Sequence, residues 1–520
     1  MKAPQLWLTL TQQSSANAKG PEALSSLAIG VFFLIGGAAA LRATPGPDVS
    51  FLLYAAGRVI DGARYGADIM EINPPLIVWL YMLPVLAARV IGASPYTMLT
   101  VFTLLLAGAA LFAMSRALDL GRERTLILTA LAAALVVVPA LDFGQKEHVA
   151  GALCVPWVAI AIVRADGRQP RGWLLAFASI AGSLGFLLKP YFLLAWLAIE
   201  AVLVLRRGPR IVLRTENVCF AIGGLAYVTA TALLAPDFID LAMRLGPAYG
   251  NYLAQGRLEA GMAWIGAAIF VWYRLRHPSH SVAAAVLEAG TIGFILSAVC
   301  QLKWWTYHFL PATIFALPAL ALVPLPELRR WRAPDGVVAV LMKSVVVYML
   351  VAAVLENIDV LTHPENPENL SEPYMFEMLQ SIAEHAPAGP VMILSTNIHS
   401  AFPVVPLSGA IWASRLPHLW PLMTSYEGQW RSGGTIHFRP AEERGGIEKW
   451  LNEVILEDLR VFRPRMIFVM AHNPEINDSG GARRIDYLAY LRDDPRLDEA
   501  LSNYRPLPDV GRYDVLERIQ

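Results

Sequence analysis

Between Leu27 and Leu355 the chain is a succession of apolar blocks of about 16–20 residues separated by short polar connections. That length crosses a hydrocarbon core as helix. The blocks predict eleven crossings: 26–42, 97–115, 125–141, 148–163, 173–188, 191–205, 216–235, 261–273, 283–300, 308–324 and 337–355. A further block, 76–91 (LIVWLYMLPVLAARVI), is short, carries Pro84 mid-way and Arg89 near its end, and closes on Gly92-Ala93-Ser94-Pro95. It reads as re-entrant or juxtamembrane. From Glu356 the pattern changes. PVMILST (390–396) and RMIFVMA (465–471) predict buried strands, and TIHFRP (435–440) and RYDVLER (512–518) predict weaker ones. Within 441–460, Ile447, Trp450, Leu451, Val454, Ile455 and Leu459 recur at the helical period. The expected fold is mainly α: a polytopic membrane domain, 1–355, followed by a C-terminal α/β domain, 356–520.

Charge sets the expected orientation. With 76–91 not crossing, the arginine clusters 116/122/124, 164/168/171, 206/207/210/214, 274/276 and 329/330/332 fall on one side. The connections on the other side hold only scattered cations such as Lys146, Lys189, Arg244, Arg257 and Lys303. The positive-inside rule makes the clustered side cytoplasmic. The N-terminus is then inside, and 43–75, 142–147, 188–190, 236–260, 301–307 and everything from Glu356 face outward. The expectation is a multi-pass inner-membrane protein with a periplasmic C-terminal domain. Leu27–Leu41 is expected to be a retained first span, because the N-terminus lacks the ordered features of a signal peptide.

Composition agrees, with 56% apolar and 16% charged residues. Zero net charge gives no bulk attraction to nucleic acid. Cys154, Cys219 and Cys300 all lie in apolar blocks, so no disulfide framework is implied.

Polar chemistry concentrates in the outward segments. The insert 48–76 (DVSFLLYAAGRVIDGARYGADIMEINPPL) is too polar for hydrocarbon and too apolar for a free loop, and its length favours a functional role. Asp48, just after Pro45-Gly46-Pro47, is suited to act as general base on a hydroxyl, or plainly to start a helix. The run Asp142-Phe143-Gly144-Gln145-Lys146-Glu147-His148 suits an active-site role for Asp142 and Glu147, with His148 positioning substrate. Its plainer reading is a polar turn capping two helices. No fixed ligand spacing specifies a metal, although a divalent cation is compatible with these groups. Lys189-Pro190-Tyr191 is either an interfacial lysine with a snorkelling stem or an anion contact. Gln301–His308 (QLKWWTYH) reads as an aromatic belt or, through Lys303, Tyr307 and His308, as a phosphate grip. Ionisable groups at this depth are functional candidates by default. Carboxylates in the first insert and cations in later outer turns suit transfer from a lipid phosphate, which needs a base and positive charge for the departing phosphate.

Asp48, the DGARYGADIMEINPPL segment, FGQKEH, LLKPY and WWTYHFLPA together resemble the GT-C integral-membrane glycosyltransferases. The likeness is to the branch with the protein O-mannosyltransferases and the lipid A aminoarabinose transferase, and it covers roughly 26–355. The resemblance implies a polyprenyl-phosphate-linked sugar donor, an extracytoplasmic site, and inverting hexosyl or pentosyl transfer to a hydroxyl of a glycan, lipid or protein. It puts the family's first-loop aspartate on Asp48, its Pro-Pro-Leu turn on Pro74-Pro75-Leu76, its Lys-Pro on Lys189-Pro190 and its Tyr-His on Tyr307-His308. Two positions depart: Val49 follows Asp48 where many relatives carry Glu, and Asn73 stands where a basic residue precedes the prolines. Phosphate binding is therefore assigned to Lys189, Lys303, Tyr307 and His308, or to Arg58 and Arg64. Tyr65, Glu71 and Asn73 are assigned to substrate positioning. The rival readings are a flippase or transporter of the same lipid-linked sugar, which more often shows paired repeats, and a polysaccharide polymerase or ligase.

Overall fold

The structure is a computed structural model that describes residues 4–519 except 120, 252–267, 269–271, 273–275, 277–280, 304, 324–333, 364–373 and 476–478. Apart from two positions, the expected crossing 261–273 lies outside the described residues, as do Arg257, Arg274, Arg329, Arg330 and Arg332. The chain divides into two compact units. One comprises Met1–Ala43, Thr97–Tyr227 and Gly256–His363; the other comprises Thr44–Tyr96, Val228–Gln255 and Pro364–Gln520.

The first unit is helical. Among the described residues of the chain, six helices are long and apolar enough to cross a membrane: Glu22–Arg42, Pro95–Ala117, Lys146–Ala165, Thr215–Leu234, Val282–Cys300 and Val337–Thr362. Leu76–Ile91, Gly172–Leu187 and Thr306–Ala321 are apolar but shorter. Thr215–Leu234 and Val337–Thr362 turn most of their apolar side chains outward, as lipid-facing helices do. Lys146–Ala165 is the opposite case: every residue but Arg164 is buried. A helix apolar all round belongs in the core of a bundle.

It is packed by Gly172–Leu187 on one side and by Val282–Cys300 and Leu310–Ala321 on others. Gly182 and Gly185 permit the first contact, since a Cβ there would stand 2.7 Å from the Trp157 ring and 2.6 Å from Cys154 Sγ. Small residues bring helices this close inside membranes. At the far end of this helix, Arg164 and Arg214 share the buried Glu216, with Nε to Oε1 distances of 3.0 and 2.8 Å.

In the second unit, helix Pro47–Ile60 packs against Leu76–Ile91. The intervening turn needs Gly66, whose φ is +99° and whose missing Cβ would lie 2.1 Å from the Phe238 nitrogen. Leu241, Leu245 and Ala248 of helix Pro236–Asn251 form a small core with Trp420, Met70 and Ile72.

A five-stranded sheet completes the unit: β1 (Pro390–Leu394), β2 (Ile411–Trp412), β3 (Met466–Met470), β4 (Tyr504–Val510) and β5 (Tyr513–Arg518), in the order β2-β1-β3-β5-β4. β2, β1 and β3 are parallel, while β5 runs antiparallel to β3 and β4 antiparallel to β5. The strands expected at 390–396, 465–471 and 512–518 are β1, β3 and β5.

The strand expected at 435–440 is absent. The side chain of Gln429 bonds both the N–H and the C=O of His437 at 2.8 Å and so replaces a ladder partner. β2 and β4 were not expected: the first has two residues, and the second carries two prolines at the sheet edge, where they are tolerated. The helix expected over 441–460 is observed at Gly446–Phe462, its start displaced past Gly445.

Candidate active site

In the first unit, the turn Asp142–Gln145 leads into the helix that opens at Lys146, with Gln145 as its N-cap. This places Glu147 in the first helical turn, where a carboxylate is favoured by the helix dipole. Glu147 is completely buried. Its Oε1 accepts from Lys189 Nζ at 2.5 Å, and the same ammonium donates to Gln301 Oε1 at 2.9 Å. Gln301 is held in turn by its Nε2 donating to the Ser297 carbonyl at 3.0 Å. His308 donates from Nδ1 to the Lys303 carbonyl at 3.0 Å, which directs Nε2 to within 3.7 Å of Glu147 Oε1.

Lys146 Nζ stands 4.0 Å from Glu147 Oε2 and lies over the Tyr307 ring, 5.2 Å from its centroid. Tyr307 meets the His308 ring edge-on at 4.7 Å. Lys303 is 2% exposed, and burial together with the positive charge of Lys189 pushes its ammonium down to about 7. Two buried lysines, Lys146 and Lys189, therefore flank one buried carboxylate, and a third, Lys303, lies near enough to Lys189 to feel its charge. An excess of buried positive charge is costly unless an anion answers it.

Two neighbouring candidates sit differently. His148 is buried and accepts from the Gly144 N–H at Nδ1 over 3.1 Å. Its Nε2 therefore carries the proton and donates to the Leu135 carbonyl at 2.8 Å. Both ring nitrogens are used in holding the turn. Asp142, half-buried, ends the short helical turn Ala140–Asp142.

The remaining candidates belong to the second unit. Asp48 is half-buried in the first turn of helix Pro47–Ile60, which Pro47 helps to start. Tyr65, Glu71 and Asn73 bond to one another. The Tyr65 hydroxyl donates to the Asn73 carbonyl at 2.6 Å, and Asn73 gives both its backbone N–H and its Nδ2 to Glu71 Oε1 at 2.7 Å. Together they hold the insert ahead of the Pro74-Pro75 turn. Arg58 donates to the Tyr54 hydroxyl at 3.1 Å and lines a cavity of about 570 Å³ with Asp61, Arg89 and Tyr96. Arg64 is exposed and sits 3.6 Å from Asp68 and 3.5 Å from Asp237. Among the described residues, no three His, Cys, Asp or Glu side chains are grouped as metal ligands would be.

No protein-family model matches the chain, and no curated protein does. Solved structures do. ArnT from Cupriavidus metallidurans bound to undecaprenyl phosphate is 12% identical, with 95% of this chain and 98% of that chain covered and a TM-score of 0.53. The chain shares the fold of ArnT. The apo form of that protein gives 13% identity, 95% and 97% coverage and a TM-score of 0.52. The arabinofuranosyltransferase AftD from Mycobacteria stands further off, at 12% identity, 95% of this chain, 40% of its own and a TM-score of 0.45. The likeness to ArnT extends over almost all of both chains. The GT-C resemblance carried by the loop motifs is thus matched at the level of the fold.

Of the residues singled out in the sequence, Glu147, Lys189, Lys303, Tyr307 and His308 are gathered into one cluster. Lys146 and Gln301 were missed as members. Lys146 was legible as a second charge beside Glu147, and Gln301 as the polar start of the Lys303 motif.

Proposed function

We propose that the protein is a membrane glycosyltransferase that moves a sugar from a polyprenyl-phosphate donor to a hydroxyl acceptor. The acceptor is a glycan, a lipid or a protein, the transfer inverts the anomeric carbon, and the site lies on the extracytoplasmic face. The observation that carries this reading is the buried cluster in which Lys146 and Lys189 flank Glu147 and Lys303 lies near Lys189. In it Lys189 and Lys303 take the donor phosphate, with Tyr307 and His308 completing the grip. Glu147 holds Lys189 and faces His308 without neutralising the cluster. ArnT, whose fold this chain shares, is seen with undecaprenyl phosphate bound, a ligand of the same chemistry.

Asp48 acts as general base and takes the acceptor's proton as its oxygen attacks the anomeric carbon. The bond from that carbon to the phosphate oxygen breaks, its electron pair leaves with the polyprenyl phosphate, and the lysines stabilise the developing charge. Asp142 contributes to orienting sugar or acceptor hydroxyls, and Arg58 and the Tyr65–Glu71–Asn73 network shape the acceptor side. The orientation that accompanies this reading has eleven crossings, a cytoplasmic N-terminus and a periplasmic C-terminal region in the inner membrane.

Reconstituted protein given labelled polyprenyl-phosphate sugar tests it. Transfer to a hydroxyl acceptor, lost in Asp48→Asn while donor binding persists, is the expected result. Translocation without transfer would make the protein a flippase, and chain growth would make it a polymerase. Asp48→Asn turning over at the normal rate would remove Asp48 as the base.

A further inference from the structure

Two arginine clusters that lie apart in the sequence meet in the helical unit. Arg116, in the last turn of helix Pro95–Ala117, and Arg124, in the first turn of helix Arg122–Val136, line a cavity of about 350 Å³ with Arg168 and Arg171. Asp119 is the only acid among the described residues of its wall. Arg168 takes that carboxylate, donating from Nη1 to Oδ1 at 3.1 Å and from Nε to Asp166 at 2.7 Å. Arg116 and Arg171 are exposed and have no carboxylate partner among the described residues. Arg124 Nη1 stands 3.9 Å from Glu22 Oε1, and its Nε is hidden from solvent with no hydrogen-bond partner among the described residues.

Elsewhere on this side the arginines are answered from within the protein. Arg164 and Arg214 share Glu216, Arg214 is also paired with Glu200, and Arg207 Nε donates to the Ala165 carbonyl at 2.9 Å. The cavity is different, because its cations sit where a helix dipole disfavours them. The amino end of a helix attracts anions and repels cations. Arg124 is in the first turn of one helix and Arg171 is the N-cap of another, Gly172–Leu187, and neither helix start has a side-chain cap. The first-turn acid of helix Arg122–Val136, Glu123, instead accepts from the Ser281 hydroxyl. Cations and uncapped N–H groups gathered in one concavity raise the energy of the empty site, and an anion relieves it.

The neighbouring surface is apolar and aromatic. Phe112 and Trp173, both exposed, bridge two helices by stacking at 5.5 Å with 28° between their planes. The Arg116 guanidinium lies over the Phe112 ring, 5.8 Å from its centroid. Leu105, two turns before Phe112, and Ile180, two turns after Trp173, are also exposed and continue the same helix faces. Aromatic rings at the end of an exposed aliphatic face belong at the level where lipid headgroups meet acyl chains. A small soluble anion has no use for such a surface, whereas a lipid has.

We propose that this cavity binds the phosphate headgroup of an anionic glycerophospholipid from the leaflet on the arginine-rich side, with an acyl chain lying against Phe112 and Trp173. The phosphate oxygens accept from Arg116, Arg124 and Arg171 and from the first-turn N–H groups of the two helices. The site is separate from the Glu147 cluster. Val163 lines the cavity while Glu147 stands in the first turn of the same helix, so the two are about 24 Å apart along it, at about 1.5 Å per residue. The bound lipid ties together the ends of four helices, Pro95–Ala117, Arg122–Val136, Lys146–Ala165 and Gly172–Leu187, and stabilises the bundle by mass action. The inference stands independently of the sugar-transfer reading.

Two measurements on the full-length protein test this. In the first, native mass spectrometry reads the affinity for added phosphatidylglycerol and phosphatidylcholine. The wild type should hold phosphatidylglycerol about tenfold or more tighter. The double variant Arg116→Gln/Arg171→Gln, whose exposed side chains leave the bundle folded, should lose that preference. Arg210→Gln, an exposed arginine on the same side but outside the cavity, should keep it. Equal affinity for the two lipids, or a double variant with the wild-type preference, overturns the proposal. Excess inorganic phosphate should leave the lipid bound, and its displacement would make this a site for a soluble anion and overturn the lipid assignment. The second measurement needs no variant. Hydrogen exchange at the amides of 122–124 and 172–174 should be slower in phosphatidylglycerol nanodiscs than in phosphatidylcholine ones, and equal exchange overturns the proposal.

Discussion

Lys189 and Glu147, 42 residues apart, meet at 2.5 Å with both side chains buried in the helical unit. Pro190 ends the extended stretch that presents the lysine, and the first turn of helix Lys146–Ala165 presents the carboxylate. Removing one member of a buried pair leaves the other uncompensated, at a cost of about 3–5 kcal/mol. Lys189→Met should lose stability of that order, read as a lowered melting temperature in detergent. Glu147→Gln removes the carboxylate that pairs with Lys189, so it should destabilise the empty protein more than the protein saturated with polyprenyl phosphate. Equal losses in the two states would contradict an anion site.

If Lys303 takes the donor phosphate as proposed, binding depends on pH. Burial first, and Lys189 second, lower its ammonium to about 7 from the ordinary 10.5. Above about 7 the folded protein holds this amine neutral, whereas a bound phosphate favours the charged form. Binding above pH 7 should therefore take up a proton, and affinity should fall as pH rises through that value. Calorimetry in buffers of different ionisation enthalpy measures the uptake. Lys303→Met should abolish it and flatten the pH dependence of binding.

Gly293 marks where helices Leu193–Arg207 and Val282–Cys300 touch. A Cβ there would lie 2.3 Å from the Ala195 Cα and 2.8 Å from the Leu194 carbonyl oxygen, both backbone atoms that cannot swing aside. Gly293→Ala should cost about 1–3 kcal/mol through overpacking. Gly290→Ala, one turn earlier, would meet only the Phe315 ring at 3.5 Å or more and should be nearly neutral. Thermal unfolding of the two variants side by side checks the contrast.

Asp458 is the anchor of the turn that follows β2. It is 1% exposed and accepts from Ser414, the Arg415 backbone and the Arg415 guanidinium. Asp458→Ala strands these donors and should cost about 3 kcal/mol. Hydrogen exchange should show protection lost first at 413–419, because those amides lose their anchor before the sheet opens. Protection lost evenly over the sheet would point to a different role for Asp458.

The helices and the strands β1, β3 and β5 were legible because each declares itself over a short window. A run of apolar residues needs no distant partner to make a helix in hydrocarbon, and an apolar pentapeptide bounded by polar residues has few alternatives to a buried strand. β2, with two residues, is below the length at which a pattern exists. TIHFRP has the pattern of a strand and is not one, because the side chain of Gln429 satisfies its backbone first.

The candidate site divides the same way. Lys189, Lys303, Tyr307 and His308 stood out because charged and aromatic residues are conspicuous beside apolar blocks. His148 stood out for the same reason, and only its two backbone contacts reveal that its ring supports a turn. Gln301 was overlooked because an amide at a helix end is unremarkable until a lysine 112 residues away points at it.

The amino-acid sequence alone determined that this is a chain of apolar helices with its polar chemistry in a few turns and with an α/β region after them. Those features follow from local hydropathy and periodicity, which each segment carries with it. The tertiary structure decided which turns keep company: that Glu147 meets Lys189 and His308, that Tyr65, Glu71 and Asn73 brace one another, and that the loop after β1 packs on helix Pro47–Ile60. Such contacts depend on how closely helices pack at Gly182, Gly185 and Gly293 and on which strand ends lie side by side, and no window of sequence contains that information.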